Sequence, residues 1–420
     1  MKILWIVNIL FPEVSESLYG TGTLKSTGGW VLSAANKLVT ESDSISLCIV
    51  TVSNKVKDLT KLCGKKILYY VIPYGSGNTK ENNEYDYYMQ KIYKDFLPDV
   101  VHIHGTEFSQ GLSYINACGN TNVVLSIQGL STAISEYYTT GLTFTDILYN
   151  HTLFDFVKTS VWREKHMFAQ KGKYENKIIS NCKYIIGRTD WDRARIWNIN
   201  PKAKYFICNE ILRDEFYDGM WEYEKCDKHT IFLSQATYPV KGLHVFLKAL
   251  PKIREHFPDL KVRIAGKNIL ETSSLKQKLL FTGYAKYIRK LIKKLRLEDI
   301  IFYTGPLDAS AMKAEYLKAN VFVSPSIIEN SPNSIGEAQI LGVPIVSSYV
   351  GGVSTMIPDD RYGYKYRSDE YSTLAYYICR IFNQSIFSNT NMIQLAKHRH
   401  DARINTKQLL NIYNQIIQNI

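Results

Sequence analysis

Short apolar runs rich in Val and Ile recur along the chain, with helical patterns between them, and the series starts twice. The first series is "KILWIVNIL", "ISLCIVTV", "KILYYVIP", "DVVHIHG", "NVVLSIQG", "KYIIGRT" and "KYFICNE". The second is "HTIFLSQA", "LKVRIAG", "IIFYTG", "VFVSPS" and "PIVSS", spaced by helices such as "GLHVFLKALPKIREHF". Strands buried on both faces read as unbroken apolar runs, so this pattern predicts parallel α/β sheets covered by helices. The polar segment "RDEFYDGMWEYEKCDKH" divides the two series and reads as a linker. We therefore expect an N-terminal domain over 1–215, a second over 216–388, and C-terminal helices over 389–420 packing back on the first. Two doubly wound domains would bind ligands outside the carboxyl ends of their strands.

A length of 420 residues suits two domains, each burying its own core. No apolar run reaches the length that spans a bilayer, and "MKILWIVNILFPE" lacks a cleavage site and reads as a first strand. Seven scattered cysteines without a C-x-x-C pair suggest reduced thiols and a cytoplasmic setting. The net charge of +12 is uneven, with 24 Lys and Arg against 21 Asp and Glu up to Glu215, and 27 against 18 beyond. No acid interrupts Lys276 to Arg296, where Ile288, Leu291, Ile292 and Leu295 recur at helical spacing. This is an amphipathic helix with a basic face, solvated by default and suited to an anionic membrane surface. It forms no recognised nucleic-acid module, so no nucleic acid partner is expected.

The stretch "ENSPNSIGE" (329–337) sets two carboxylates at the ends of a strand-to-helix connection. With Ser334 as N-cap, Glu337 completes an S-x-x-E capping box; with Ser331 as N-cap, Pro332 falls at N1 and the box disappears. Either way Glu329 lies in the loop and Glu337 in the first turns, where exposed N–H groups attract an anion such as a diphosphate. Carboxylates beside such a site suit neutral sugar hydroxyls. In "YPVKGLHVF", Lys241 and the helix opening at Gly242 bring a cation and a helix N-terminus together. "STGGWVLSAANKLV" sets Gly28 and Gly29 before a helix, either as a plain turn or as close-approach positions for phosphate. In "DVVHIHGTE", His104 at a strand end is the better contact candidate, and His102 a packing histidine. "GRTDWDR" contains Asp190-x-Asp192, which reads as an ordinary helix cap rather than a metal site. Gln128, Arg188 and Glu210 fall at other strand ends.

"FVSPSIIENSPNSIGEAQILGVPIVSSYVGGV", together with "FYTGPLDASAMKAEYLKANVFVSPS" and "LSQATYPVKGLHVFLKAL", resembles the retaining glycosyltransferases of family 4. "IIGRTDWDRARIWNINPKAKYFICNEILRDEFY" is similar to the subset that builds bacterial capsular and exopolysaccharides. The resemblance implies a GT-B fold, two Rossmann-like domains with an interdomain cleft. It implies transfer of a hexose-type sugar from a nucleoside diphosphate donor, a UDP-sugar, to a saccharide or lipid-linked saccharide acceptor, without a metal or other cofactor. The enzyme would work in the cytoplasm or at the inner membrane face. Glu329, Lys241 and His104 would be catalytic. Glu337 would hold the ribose, and the backbone of Asn333, Ser334 and Ile335 would face the diphosphate. Gly28, Gly29 and Gln235 would complete the donor site, with His104, Gln128, Arg188 and Glu210 on the acceptor. The family often carries an arginine where Gln235 and Ala236 stand, and a histidine where Gln128 stands. Other readings are a nucleotide-sugar epimerase on the same fold and a non-catalytic sugar-binding partner.

Overall fold

The computed structural model describes residues 1–20, 29–41, 44–74, 83–384 and 389–419. The chain forms two compact units. The first comprises Met1–Thr132, Ala169–Arg213 and His400–Ile420; the second comprises Ala133–Phe168 and Asp214–Arg399.

The first unit holds eight strands: β1 (Lys2–Ile6), β2 (Ser46–Ser53), β3 (Thr60–Cys63), β4 (Ile67–Pro73), β5 (Val100–His104), β6 (Val123–Ser126), β7 (Tyr184–Gly187) and β8 (Lys204–Ile207). Their order in the sheet is β3-β4-β2-β1-β5-β6-β7-β8. All pair in parallel except β3, an antiparallel edge strand on β4. β3 is partly exposed along its length, unlike the apolar runs of the inner strands. The core gathers Ile3, Trp5, Ile49 and Val71 with Leu38 of the Gly29–Glu41 helix. The Ala402–Ile417 helix closes this core with Leu409, Ile412, Tyr413 and Ile416. Tyr413 fastens it: its hydroxyl accepts from Trp5 Nε1 at 3.0 Å and meets His102 Nδ1 at 2.6 Å. His102 Nε2 is 2.5 Å from Ser126 Oγ, so His102 has both ring nitrogens engaged in packing bonds.

The second unit holds β9 (Asp227–Leu233), β10 (Lys261–Ala265), β11 (Ile301–Gly305), β12 (Ala319–Ser324), β13 (Ile345–Ser348) and β14 (Tyr364–Tyr366), in the order β11-β10-β9-β12-β13-β14. Every pair is parallel. Each sheet has a central reversal of strand order, between β1 and β5 in the first and between β9 and β12 in the second. Crossovers leave such a point in opposite directions, and ligands of doubly wound sheets bind outside the strand ends there.

Candidate active site

The loops after β9 and β12 carry the second unit's candidate residues. After β9 the chain runs to a short 3-10 turn, Pro239–Lys241, and then into the Leu243–His256 helix through Gly242. Gly242 has φ +72°, and a Cβ there would lie 1.8 Å from the Pro325 carbonyl oxygen, so only glycine fits. That close approach brings the β9 loop against the β12 loop, where Ile327 N donates to Val240 O at 2.7 Å. Lys241 Nζ consequently reaches Glu329 Oε1 at 2.5 Å, with the two side chains only 19% and 16% exposed. Ser326 Oγ donates to the same oxygen at 2.9 Å. Burial alone would lower the Lys241 pKa; the charge and hydrogen bond of Glu329, together with those of Tyr238, outweigh it and hold the ammonium above the usual lysine range.

Glu329 is also fixed by its backbone. Its carbonyl accepts from Gly352 N at 3.0 Å, and a Cβ on Gly351 would lie 1.9 Å from that oxygen. The helix that follows is Asn333–Leu341, with Pro332 itself in the N-cap position and no side-chain cap hydrogen bond. Neither serine caps it, which corrects both capping alternatives read from the sequence. Pro332 has φ −70° and ψ 121°, an extended geometry that its ring favours, so it turns the chain into the helix. Asn333, Ser334 and Ile335 form the first turn, and Glu337 is buried one turn further in. Tyr316 Oη donates to Ser334 O at 3.0 Å, and Arg399 Nη2 to Ser331 Oγ at 3.2 Å. Arg399 is a cation on this loop that sequence reasoning missed. Gln235 is exposed in the β9 loop.

The first unit groups the other candidates separately. His104 ends β5 at the switch point and lines a cavity of about 60 Å³ with Trp5, Trp30, Gln128, Arg188 and Glu210. Both His104 ring nitrogens are buried and meet no hydrogen-bond partner among the described residues. Burial, then the charge of Arg188, pushes its pKa down to about 3, so the ring is neutral. Arg188 forms a buried ion pair with Glu210 and donates to the carbonyls of Ile127 at 2.7 Å and Gln128 at 3.2 Å. Its guanidinium therefore fixes the strand ends. Asp192 accepts from Arg188 N at 3.0 Å and from the Tyr205 hydroxyl, and Thr189 caps the Asp190–Ile199 helix, so the D-x-D carboxylate at 192 is spent locally. Gly29 opens the Gly29–Glu41 helix, and a Cβ there would come within 3.1 Å of Arg213. Gly28 lies outside the described residues.

Two doubly wound parallel sheets, with polar side chains gathered at each reversal point, define a GT-B fold. The same fold is seen in Anabaena HepE solved with UDP-glucose (TM-score 0.65, 13% identity, 98% of each chain). Residues 221–407 match the family described as Glycosyl transferases group 1. Among relatives, D-inositol 3-phosphate glycosyltransferase 2 of Catenulispora acidiphila is 23% identical over 202 residues, 45% of each chain. WcaL of Escherichia coli, provisionally named a colanic acid biosynthesis glycosyltransferase, is 27% identical over 141 residues, covering 32% of this chain and 31% of WcaL. The chain thus spans less than half the length of these two relatives. Its resemblance is to GT-B glycosyltransferases.

Proposed function

We propose that the protein is a retaining glycosyltransferase that moves a hexose from a UDP-sugar to a saccharide or lipid-linked saccharide in cell-surface polysaccharide synthesis. The observation that carries this reading is the Lys241–Glu329 pair, held where the loops after β9 and β12 meet at the second unit's reversal point, beside an N-terminus without a side-chain cap. HepE, solved with UDP-glucose, and WcaL, named for colanic acid biosynthesis, add support. In this reading Lys241 and the first-turn N–H groups of Asn333, Ser334 and Ile335 take the diphosphate. Glu329 accepts hydrogen bonds from the sugar hydroxyls and Glu337 from the ribose. Gln235 adds neutral donors where an arginine is common, and Gly28 and Gly29 are assigned to the donor phosphates.

The sugar C1–phosphate oxygen bond breaks as the acceptor oxygen bonds to C1 on the same face, and the acceptor proton passes to the departing phosphate oxygen. Negative charge grows on the leaving diphosphate, where a pre-placed ammonium contributes most. Neither a metal nor a protein base is assigned a step. His104, Gln128, Arg188 and Glu210 are assigned to the acceptor, with neutral His104 offering one donor and one acceptor nitrogen. The basic Gly283–Lys294 helix suits attachment at the cytoplasmic membrane face.

Thermal-shift measurement with UDP, GDP, ADP and their sugars tests the donor site. A ligand at 100 times its Kd stabilises the native state by about 2.7 kcal/mol. UDP and a UDP-sugar are expected to raise Tm; a flat response to all of them would sink the reading.

A further inference from the structure

Two five-residue helices, Phe144–Leu148 and Leu153–Val157, follow one another in the second unit. Each begins with a threonine capping box, in which Asp146 accepts from Thr143 N at 2.9 Å and Asp155 from Thr152 N at 2.8 Å. The two acids of this segment are therefore turned back onto the backbone. Ile147 and Asp155 face inward. Apart from Thr145, what faces solvent is apolar: Phe144, Leu148, Tyr149, Leu153, Phe156 and Val157 are each 50% to 83% exposed. Phe144 and Leu148, and likewise Leu153 and Val157, are spaced i,i+4 on one helical face. Isolated surface hydrophobics are ordinary, but six within fourteen residues form a strip that needs a partner.

Cations flank the strip. Lys158 and Arg163 are exposed just after it. Thr152 Oγ1 donates to Phe281 O at 2.7 Å and Lys286 Nζ to His151 O at 3.2 Å, so the strip is joined to the start of the Gly283–Lys294 helix. That helix buries Ile288 and Ile292 and turns Arg289, Lys290, Lys293 and Lys294 to solvent. On the preceding Leu275–Leu279 helix, Leu275 and Leu279 are exposed as well, one turn apart.

We infer that the Phe144–Val157 strip, with the cations of the Gly283–Lys294 helix, is a docking surface for an anionic lipid bilayer. Apolar side chains on short amphipathic helices enter the boundary between headgroups and acyl chains, while cations meet the lipid phosphates. Charge favours this occupant over a second copy of the chain. An isologous contact would set one basic face against another, with the strip's acids already engaged in caps. The inference extends the membrane-face part of the proposed function.

Co-sedimentation of the full chain with vesicles tests it. The protein is expected to pellet with phosphatidylcholine vesicles containing phosphatidylglycerol and to stay in solution with phosphatidylcholine alone. Replacing Lys290, Lys293 and Lys294 by Gln should lower the partition coefficient by about 100-fold, as each cation near an anionic surface contributes roughly fivefold. Leu153→Asp with Phe156→Asp should abolish pelleting while Tm is kept, since both side chains are exposed. Failure of the unaltered protein to bind anionic vesicles, or equal binding by both variants, overturns the inference. So does a dimer that the strip variant dissociates without any vesicle binding. The assay contains no nucleotide sugar, so its failure is distinct from failure of the donor-site test.

Discussion

At the scale of single residues, the Lys241–Glu329 contact ties the proposed donor site to measurable behaviour. Lys241→Ala removes the only charge assigned to the leaving diphosphate, and kcat/KM is expected to fall by about 10²–10³. Ser326→Ala leaves both charges but frees Glu329 from one of its two side-chain contacts, so a smaller loss of about tenfold is expected, one hydrogen bond's worth. Steady-state kinetics on the two variants gives this ranking, and equal losses would deny Ser326 a positioning part. Gly242→Ala tests the approach of the two loops. With φ +72° and the Pro325 carbonyl in the way, it should destabilise by about 1–3 kcal/mol, seen as a lowered Tm. Lys241 and Glu329, which the structure brings into contact, were candidates from their spacing and from resemblance. Ser326, Gly351 and Arg399 were not, because their parts arise from chain approaches between segments distant in sequence.

At the scale of elements, the Asn333–Leu341 helix permits a prediction with two opposite signs. Asn333→Asp adds a negative charge to the first turn, which should stabilise the helix by about 0.3–1 kcal/mol. The same charge would repel a diphosphate. Tm without ligand should therefore hold or rise, while the Kd for a UDP-sugar, read by calorimetry, should weaken at least about tenfold. If affinity is unchanged, the diphosphate is not at this helix. Tyr413→Phe, on the Ala402–Ile417 helix, leaves Trp5 Nε1 and His102 Nδ1 without their bonds and should cost about 1–3 kcal/mol by thermal unfolding. Twelve of the fourteen strands were legible because parallel, doubly covered strands are continuous apolar runs. β3 and β14 escaped: one is a partly exposed edge strand and the other spans three residues at a sheet edge, too short to show a pattern. The capping of the Asn333–Leu341 helix also escaped, since two serines offered side-chain caps and a proline took the position.

At the scale of the molecule, the buried neutral histidines make the first unit sensitive to acid. His104 keeps a depressed pKa of about 3 in the fold and titrates near 6.5 when unfolded. Below pH 6.5 the unfolded chain binds the extra proton, so stability falls as pH drops toward 3 and is fully present above 6.5. Between pH 7 and pH 5 the loss from this one group is about 2 kcal/mol. Hydrogen-exchange protection of the β5 amides should show a decline, and His104→Gln should remove the share due to His104, leaving that of buried His102. The two α/β series were legible at this scale because the apolar pattern begins again after the polar divider. The passages of the chain between units left no mark in the sequence, since an amphipathic helix does not record which sheet it covers.

Those passages set an order of events during synthesis. The first unit draws on three stretches of chain separated by the whole of the second. Trp5 and the Tyr413 that bonds it are made 408 residues apart, so roughly 20–80 s passes between them at 5–20 residues per second. Through that interval the parallel sheet of the first unit is exposed over the surface that Leu409, Ile412 and Ile416 later cover. The second unit, complete by Arg399, can fold while the first still waits. A nascent chain of this protein thus completes its first unit after its second, and the sheet of the first unit needs protection from aggregation until the Ala402–Ile417 helix is made.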